Sequence, residues 1–235
     1  MDPAHLKALN AARRKRSAAM LVTDLASGHD RLVLEGEEVD GPLGEAVAQH
    51  FLSGKAGTVQ INDRQHFLNV YLPPPRIVVI GAVHISQVLV PMAQLADFDV
   101  TIIDPRTAFA TPERFADVEL IADWPQDVFP QRPLDRYSAL VAVTHDPKID
   151  DPAIAAALEA HCFYVGALGS RKTHGKRVER LLTAGFGPEQ IGTISAPIGL
   201  DIGAASPAEI AVAVLADIIR AFRRRTLVSS TGDAA

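Results

Sequence analysis

The sequence predicts an α/β protein, a doubly wound parallel sheet preceded by a small N-terminal α+β domain. Three observations carry this prediction. RIVVIG at residues 76–81 is apolar beyond its arginine and gives way to helical spacing in HISQVLVPMAQLA, as in a strand buried on both faces of a parallel sheet. From there to Phe222 strand-like and helix-like segments alternate, which implies right-handed crossovers. Before it, two hairpin patterns flank a single helix, and Pro73-Pro74-Pro75 divides the two regimes, because three prolines continue neither sheet nor helix. The expected domains are residues 1–72 and 76–225, with 226–235 a disordered tail.

In the first domain AAMLVTDLA and DRLVL pair around Ser27-Gly28-His29. GPLGEAVAQHFLSGK has helical spacing (Leu43, Ala46, Val47, His50, Phe51) and stops at Gly54. TVQIN and RQHFLNVYL flank the turn dipeptide Asn62-Asp63 as a second hairpin. In the second domain DVTIID, ALVAVTHD, CFYVGALGS and IGTISAP read as further strands, each running into a loop. Helices are expected at DDPAIAAALEAH, THGKRVERLLTAG and SPAEIAVAVLADIIRAF. The last opens on a capping box, Ser206 as N-cap, Pro207 at the first helical place and Glu209 at the third.

Composition excludes several classes of function. The 235 residues, 48% hydrophobic, suffice for a large and a small domain with ordinary cores. A net charge of −5 disfavours nucleic acid. No stretch approaches the ~20 apolar residues of a membrane span, and MDPAHLKALNAARRKR lacks the apolar core of a secretory signal, so no membrane span and a cytoplasmic location are expected. The single cysteine, Cys162, excludes an internal disulfide framework and reads as a small buried apolar residue at a strand start. The basic runs Arg13–Arg16 and Arg223–Arg225 border terminal helices, where cations are solvated or favourable at a C-terminus.

Ligands of doubly wound sheets sit outside the carboxyl ends of the strands, so the informative residues follow each strand. After the first, the places of a Rossmann-like dinucleotide fingerprint hold Gly81, Val83 and Ser86. Two of the three fit, whereas the β-branched Val83 fills space that a pyrophosphate wants and disfavours positive φ. His84 follows, pointing either to a ligand or along the helix face as a satisfied polar group. Asp104 lies 23 positions after Gly81, about where an acid accepts hydrogen bonds from a ribose, with Arg106 beside it.

After the third strand, THD groups a hydroxyl, His145 and Asp146, with Asp150-Asp151 close behind. This is either an acid/base or metal cluster, or a set of caps, with Asp150 or Asp151 capping a helix that begins at Pro152. His145 at a strand end faces the crevice. GALGSRK combines Gly166, Gly169, Ser170 and Arg171 between strand and helix, which suits an anion or phosphate site, and Arg171 offers two parallel hydrogen bonds. The other reading of that loop is a flexible turn with solvated cations. In PIGLDIGAASPAEI, Asp201 is singled out for its apolar neighbours Leu200 and Ile202, read as buried.

Taken together, GAVHIS, TIIDPR, VTHDPKIDDPAI, YVGALGSRKTHGKRVERL and PIGLDIGAASPAEIAVAVLADII, in order from about Arg76 to Phe222, resemble the C-terminal Rossmann domain of the xanthine dehydrogenase accessory family, the XdhC/CoxI type. The resemblance implies a chaperone of the molybdenum cofactor rather than a turnover enzyme. It would bind molybdopterin, protect it during sulfuration and deliver it to a molybdoenzyme of the xanthine dehydrogenase type. A cysteine desulfurase would be a further partner, and the chain would form a homodimer. The cofactor carries a phosphate or a dinucleotide diphosphate. Gly166 to Arg171 would hold that phosphate and Asp104 a ribose or pterin edge, with Gly81, His84, Arg106, His145 and Asp201 completing the set. The chain departs from the family at Val83, where glycine is usual. It also lacks, in TDLASGHDRLVLEGEEVDGPLGEAV, the GSxPR-like segment and the cysteine-bearing glycine-rich stretch of the usual N-terminal domain.

Two other classes compete. One is an NAD-dependent oxidoreductase with Asp104 on ribose and His84 or His145 as proton donor, against which stand Val83 and the lack of a Tyr-x-x-x-Lys pair. The other is an interaction module that docks on a molybdoenzyme or sulfurtransferase with its Rossmann core vestigial.

Overall fold

A computed structural model describes residues 2–225. The chain divides into two compact units, one running to Pro73 and taking in the segment from Arg223, the other Pro74–Phe222. The tail expected at 226–235 lies outside the described residues.

The first unit is an antiparallel sheet of order β2-β1-β4-β3 with two helices. Helix α1 (Pro3–Arg14) starts at Asp2, whose carboxylate accepts from the Ala4 amide. Strands β1 (Ala19–Asp24) and β2 (Asp30–Leu34) form the first hairpin. Helix α2 (Gly41–Ser53) ends at Gly54 with φ 69°, the left-handed cap for which glycine carries no Cβ penalty. Strands β3 (Gly57–Ile61) and β4 (Arg64–Tyr71) meet across Asn62 and Asp63, both at positive φ, as a two-residue hairpin of the primed type requires. Central β1 is buried from Ala19 to Val22, on both faces, and Leu9 and Ala12 of α1 pack on Ala19, Leu32 and Tyr71.

The second unit is the expected doubly wound parallel sheet, of order β7-β6-β5-β8-β9. Its elements in chain order are β5 (Arg76–Ile80), α3 (His84–Leu95), β6 (Asp99–Ile103), β7 (Glu119–Ile121), α4 (Pro125–Val128), β8 (Ser138–Ala142), α5 (Pro147–Glu159), β9 (Tyr164–Ala167), α6 (Arg171–Thr183), α7 (Pro188–Gly192) and α8 (Pro207–Arg223). Alternation of side chains sends Ile77, Val79, Val100, Ile102, Ala139 and Val141 against α3 and α8. Val78, Ile80, Ile103, Leu140, Ala142 and Val165 go against α5, α6 and α7. The chain turns outward in both directions from the β5/β8 pair, so the topological switch point lies between the ends of those strands.

Two local expectations change. IGTISAP is not a strand: Ser195 alone forms a parallel bridge to Gly166, and Pro197 has no N–H to extend the ladder. The Ser195 hydroxyl, the Tyr164 hydroxyl and Arg220 instead converge on the buried carboxylate of Asp217 in α8. Helix α5 begins at Pro147, not Pro152, with Asp146 as N-cap accepting from the Lys148 amide at 2.9 Å. The sequence offers two Asp-Pro starts, and use of the earlier one carries Asp150 into the interior. The short β7 carries too few residues for a periodicity to be read. Ser206 and Glu209 form the capping box of α8 reciprocally. Among the described residues no helix is long and apolar enough to cross a membrane.

Candidate functional site

The loop after β5 is tied down on every side. Gly81 adopts φ +123°, and a Cβ there would meet Thr144 Cγ2 at 3.0 Å and Val143 Cγ2 at 3.2 Å, so glycine lets β5 and β8 close at the switch point. The buried Ser86 donates its hydroxyl to the Gly81 carbonyl at 2.6 Å. The Ala82 amide donates to Asp104 Oδ2 at 2.8 Å, and the Ala82 carbonyl accepts from Arg114 Nη1 at 3.0 Å. Val83 has φ −106° and is strain-free, with its side chain packed on the core. It is also the N-cap of α3 and has no side-chain oxygen, so the first amides of that helix have no side-chain cap. His84 is exposed at this N-terminus.

Asp104 does not present itself to a ribose. It is fully buried, and each of its oxygens takes two protein donors: the Arg106 amide at 3.0 Å and Nε at 2.9 Å on Oδ1, the Ala82 amide and Arg106 Nη2, both at 2.8 Å, on Oδ2. A carboxylate has about four lone-pair sites, and here all are taken. Burial alone would raise this carboxyl, but the Arg106 and Ala82 hydrogen bonds outweigh it and hold it below the ordinary 3.8. Arg106 in turn spends Nε and Nη2 on Asp104 and lies over the Phe109 ring.

At the end of β8 the organising group is Asp150, 1% exposed. It accepts from the Thr144 hydroxyl at 2.7 Å, the Thr144 amide at 3.3 Å and the His145 amide at 3.1 Å. These bonds hold His145 at φ 64°, a left-handed conformation unusual without glycine, with its imidazole exposed. Burial pushes the Asp150 carboxyl up, against the Thr144 bonds and the nearby Arg177 charge. Asp150 is therefore a buried anchor of the strand-end loop rather than a helix cap. Asp151, the other expected cap, pairs with Arg180. Among the described residues no three His, Cys, Asp or Glu side chains are grouped as metal ligands.

Beyond β9 the loop Leu168–Ser170 leads into α6. Gly166 belongs to the strand, not to that loop: it is buried, and a Cβ would lie 2.6 Å from the Tyr164 ring and 2.7 Å from Ile198. Gly169 at φ +138° makes the turn, and Ser170 caps α6 by accepting from the Thr173 amide. Arg171 and Lys172 are exposed at the first two helical positions, beside amides with no intrahelical acceptor. Beneath them Arg177 is buried, donating Nη2 to the Leu168 carbonyl at 3.3 Å. Burial pushes the Arg177 guanidinium and the neighbouring His174 imidazole down.

Asp201 stands apart. It is exposed, and its neighbour Ile202 is 54% exposed rather than buried. The loop is fastened to α8 through the Leu200 amide and the Ala213 carbonyl, and among the described residues no hydrogen bond or ion pair joins Asp201 to the strand-end groups. Cys162 precedes β9 and packs on the second core, where burial pushes its thiol up to about 12, an inert group. The crevice thus gathers the loops carrying Gly81–His84, Asp104–Arg106, Thr144–Asp146 and Leu168–Arg171. Sequence reasoning missed Arg114 and Arg177, whose roles depend on which backbone carbonyl each side chain reaches.

A family model described as the XdhC Rossmann domain matches residues 77–218. A Bacillus subtilis protein named as a probable subunit of xanthine dehydrogenase is 32% identical over 166 residues, 69% of this chain and 47% of that protein. YqeB of Escherichia coli, an uncharacterized protein, is 30% identical over 66% of this chain and 28% of its own. The molybdenum cofactor insertion chaperone PaoD of Escherichia coli is 36% identical over 39% of this chain and 30% of its own. The chain spans less than half the length of each of these relatives. A crystal structure of a xanthine dehydrogenase from Bacillus halodurans shares the fold with a TM-score of 0.64 at 24% identity, covering 95% of this chain and 65% of that one.

Proposed function

The chain belongs to the XdhC family through its Rossmann domain, and from that premise we propose that it is a maturation factor of the molybdenum cofactor, serving a molybdoenzyme of the xanthine dehydrogenase type. It binds the cofactor in the strand-end crevice, shields it and hands it on, without turning over a substrate of its own. Homodimerisation and a cysteine desulfurase as sulfur donor belong to the same proposal. The relative named as an insertion chaperone supports this reading.

The observation that carries it is the pairing of an anion-ready loop with a closed ribose site. Gly169, Ser170, Arg171 and Lys172 place open amides and cations at the start of a 13-residue helix, which suits the cofactor's phosphate. Asp104, which a conventional NAD site would turn towards the adenosine ribose, is spent within the protein. The exposed His84 and His145 stand at the same strand ends, available to the polar edge of a pterin. Gly81 serves as the close-approach glycine of that crevice.

Anaerobic equilibrium binding of released molybdenum cofactor, with NAD as a parallel ligand, tests the proposal. Tight cofactor binding without NAD binding is the expected result, and the reverse would return the chain to the dehydrogenases. Arg171→Ala should weaken cofactor binding by about tenfold, the worth of one charge-assisted hydrogen bond, with the circular dichroism spectrum unchanged. An unaltered dissociation constant would remove Arg171 from the phosphate. Val83→Gly should leave NADH fluorescence as unresponsive as in the natural chain, because opening the cradle does not free Asp104. A fluorescence change on adding the variant would mean that Val83 alone had kept NAD out.

A further inference from the structure

Helix α6 carries buried donors that its own fold leaves unused. Arg177 is 2% exposed, and among the described residues its Nε and Nη1 have no hydrogen-bond acceptor. Asp151 lies 3.7 Å from Nε, close enough for attraction but not for a hydrogen bond. Asp150, the other acid nearby, is already engaged by Thr144 and His145. One turn earlier, His174 has a buried Nδ1 that is likewise without a partner among the described residues. Burying an unsatisfied polar group is costly, and a buried cation more so. An acceptor bound at this place would relieve that cost.

Helix geometry says where the acceptor belongs. Residues three apart share a face, and side chains lean towards the N-terminus. Arg177 and His174 therefore lie along the inner side of the first turns of α6, and the Arg177 contact to Leu168 puts the guanidinium level with the residues that precede Ser170. At that mouth the amides of Arg171 and Lys172 are open, since Ser170 caps only Thr173. The open amides and the helix dipole act at that mouth, and the guanidinium reaches the level of Leu168, just before it.

We propose that Arg177 is the principal ligand of a phosphate monoester seated at the N-terminus of α6, held from below by the guanidinium and from above by the Arg171 and Lys172 amides. The nearby charges of Asp150 and Asp151 favour the charged guanidinium, and the phosphate supplies the hydrogen-bond acceptors that they do not. This deepens the reading of the same loop under the proposed function, but moves its decisive cation from exposed Arg171 to buried Arg177. Arg171 then assists at the surface.

The test is a titration of the full, isotope-labelled chain with inorganic phosphate, followed by the Nε–H resonance of Arg177 and the amide resonances of Arg171 and Lys172. The Nε–H signal is assigned through its own side-chain correlations, so the readout does not depend on a variant folding. All three are expected to move with one saturation curve, and Arg177→Lys should weaken phosphate binding by about thirtyfold, more than the loss of about tenfold expected of Arg171→Ala. Saturable movement of the two amides with a stationary Arg177 Nε–H would overturn the assignment while leaving a phosphate site in the loop. If none of the three moves, the assignment and the loop reading fall together.

Discussion

Asp104→Ala is expected to destabilise the second unit by about 3 kcal/mol, because it breaks an ion pair whose acid is fully buried and strands the Ala82 amide. That figure sits at the low end for a broken buried pair, since the Arg106 side chain is 30% exposed and regains water. The measurement is chemical denaturation near neutral pH, and a loss below about 1 kcal/mol would mean that the carboxylate is not engaged as described. The effect is pH dependent. In the folded chain Asp104 titrates below its ordinary 3.8, so the native state binds fewer protons than the unfolded one in that range. Its contribution is complete above about pH 5 and is lost as pH falls through the ordinary and then the folded value. The alanine variant should accordingly show a shallower loss of stability in acid than the natural chain. Functionally the same substitution is informative in reverse: a residue that served a ribose would cost NAD affinity when removed, not fold stability.

Asp104 also shows what can and cannot be read from a sequence. Its place at the end of β6 follows from local signals, the apolar run and the spacing from Gly81. So do Gly54 as a helix stop, Asn62-Asp63 as a turn and Ser206 with Glu209 as a capping box, since each depends on residues a few positions apart. What Asp104 does at that place depends on whether Arg106 folds back onto it and whether Ala82 turns its amide inward, and spacing does not encode either. Asp150 is the same case. Two Asp-Pro pairs signal a helix start equally well, and only the need to hold Thr144 and His145 decides between them. Gly166 reads as part of a glycine-rich anion loop because it lies three positions before Gly169. Its smallness answers instead to Tyr164 and Ile198, a packing relation across the sheet edge. Arg177 is indistinguishable from the solvated cations of KTHGKRVER until its burial is known. The fold is legible because periodicity is local, and the chemistry of the crevice less so because partners across strands set it.

Gly199→Ala is the second large effect, and it arises from the loop whose glycines the sequence displays without ranking. Gly199 and Gly203 both have positive φ, 88° and 74°, so an alanine at either carries the backbone strain of about 1 kcal/mol or more. Only Gly199 lies against another element. A Cβ there would sit 2.9 Å from the Ala213 carbonyl carbon and the Val214 amide nitrogen, backbone atoms of α8 whose own side chains are buried. A side chain can turn away from such a clash, whereas the middle of a buried helix cannot, so the overpacking cost of roughly 1 to 3 kcal/mol adds to the strain. At roughly 2–4 °C per kcal/mol for a unit of this size, Gly199→Ala should lower the melting temperature by about 6 °C or more and Gly203→Ala by about half of that or less. Equal shifts would mean that α8 yields to the loop. The expected difference would establish that the Leu200–Ala213 contact is a rigid seam, with Asp201 displayed on its outer side and the strand-end crevice left to the residues of β5, β6, β8 and β9.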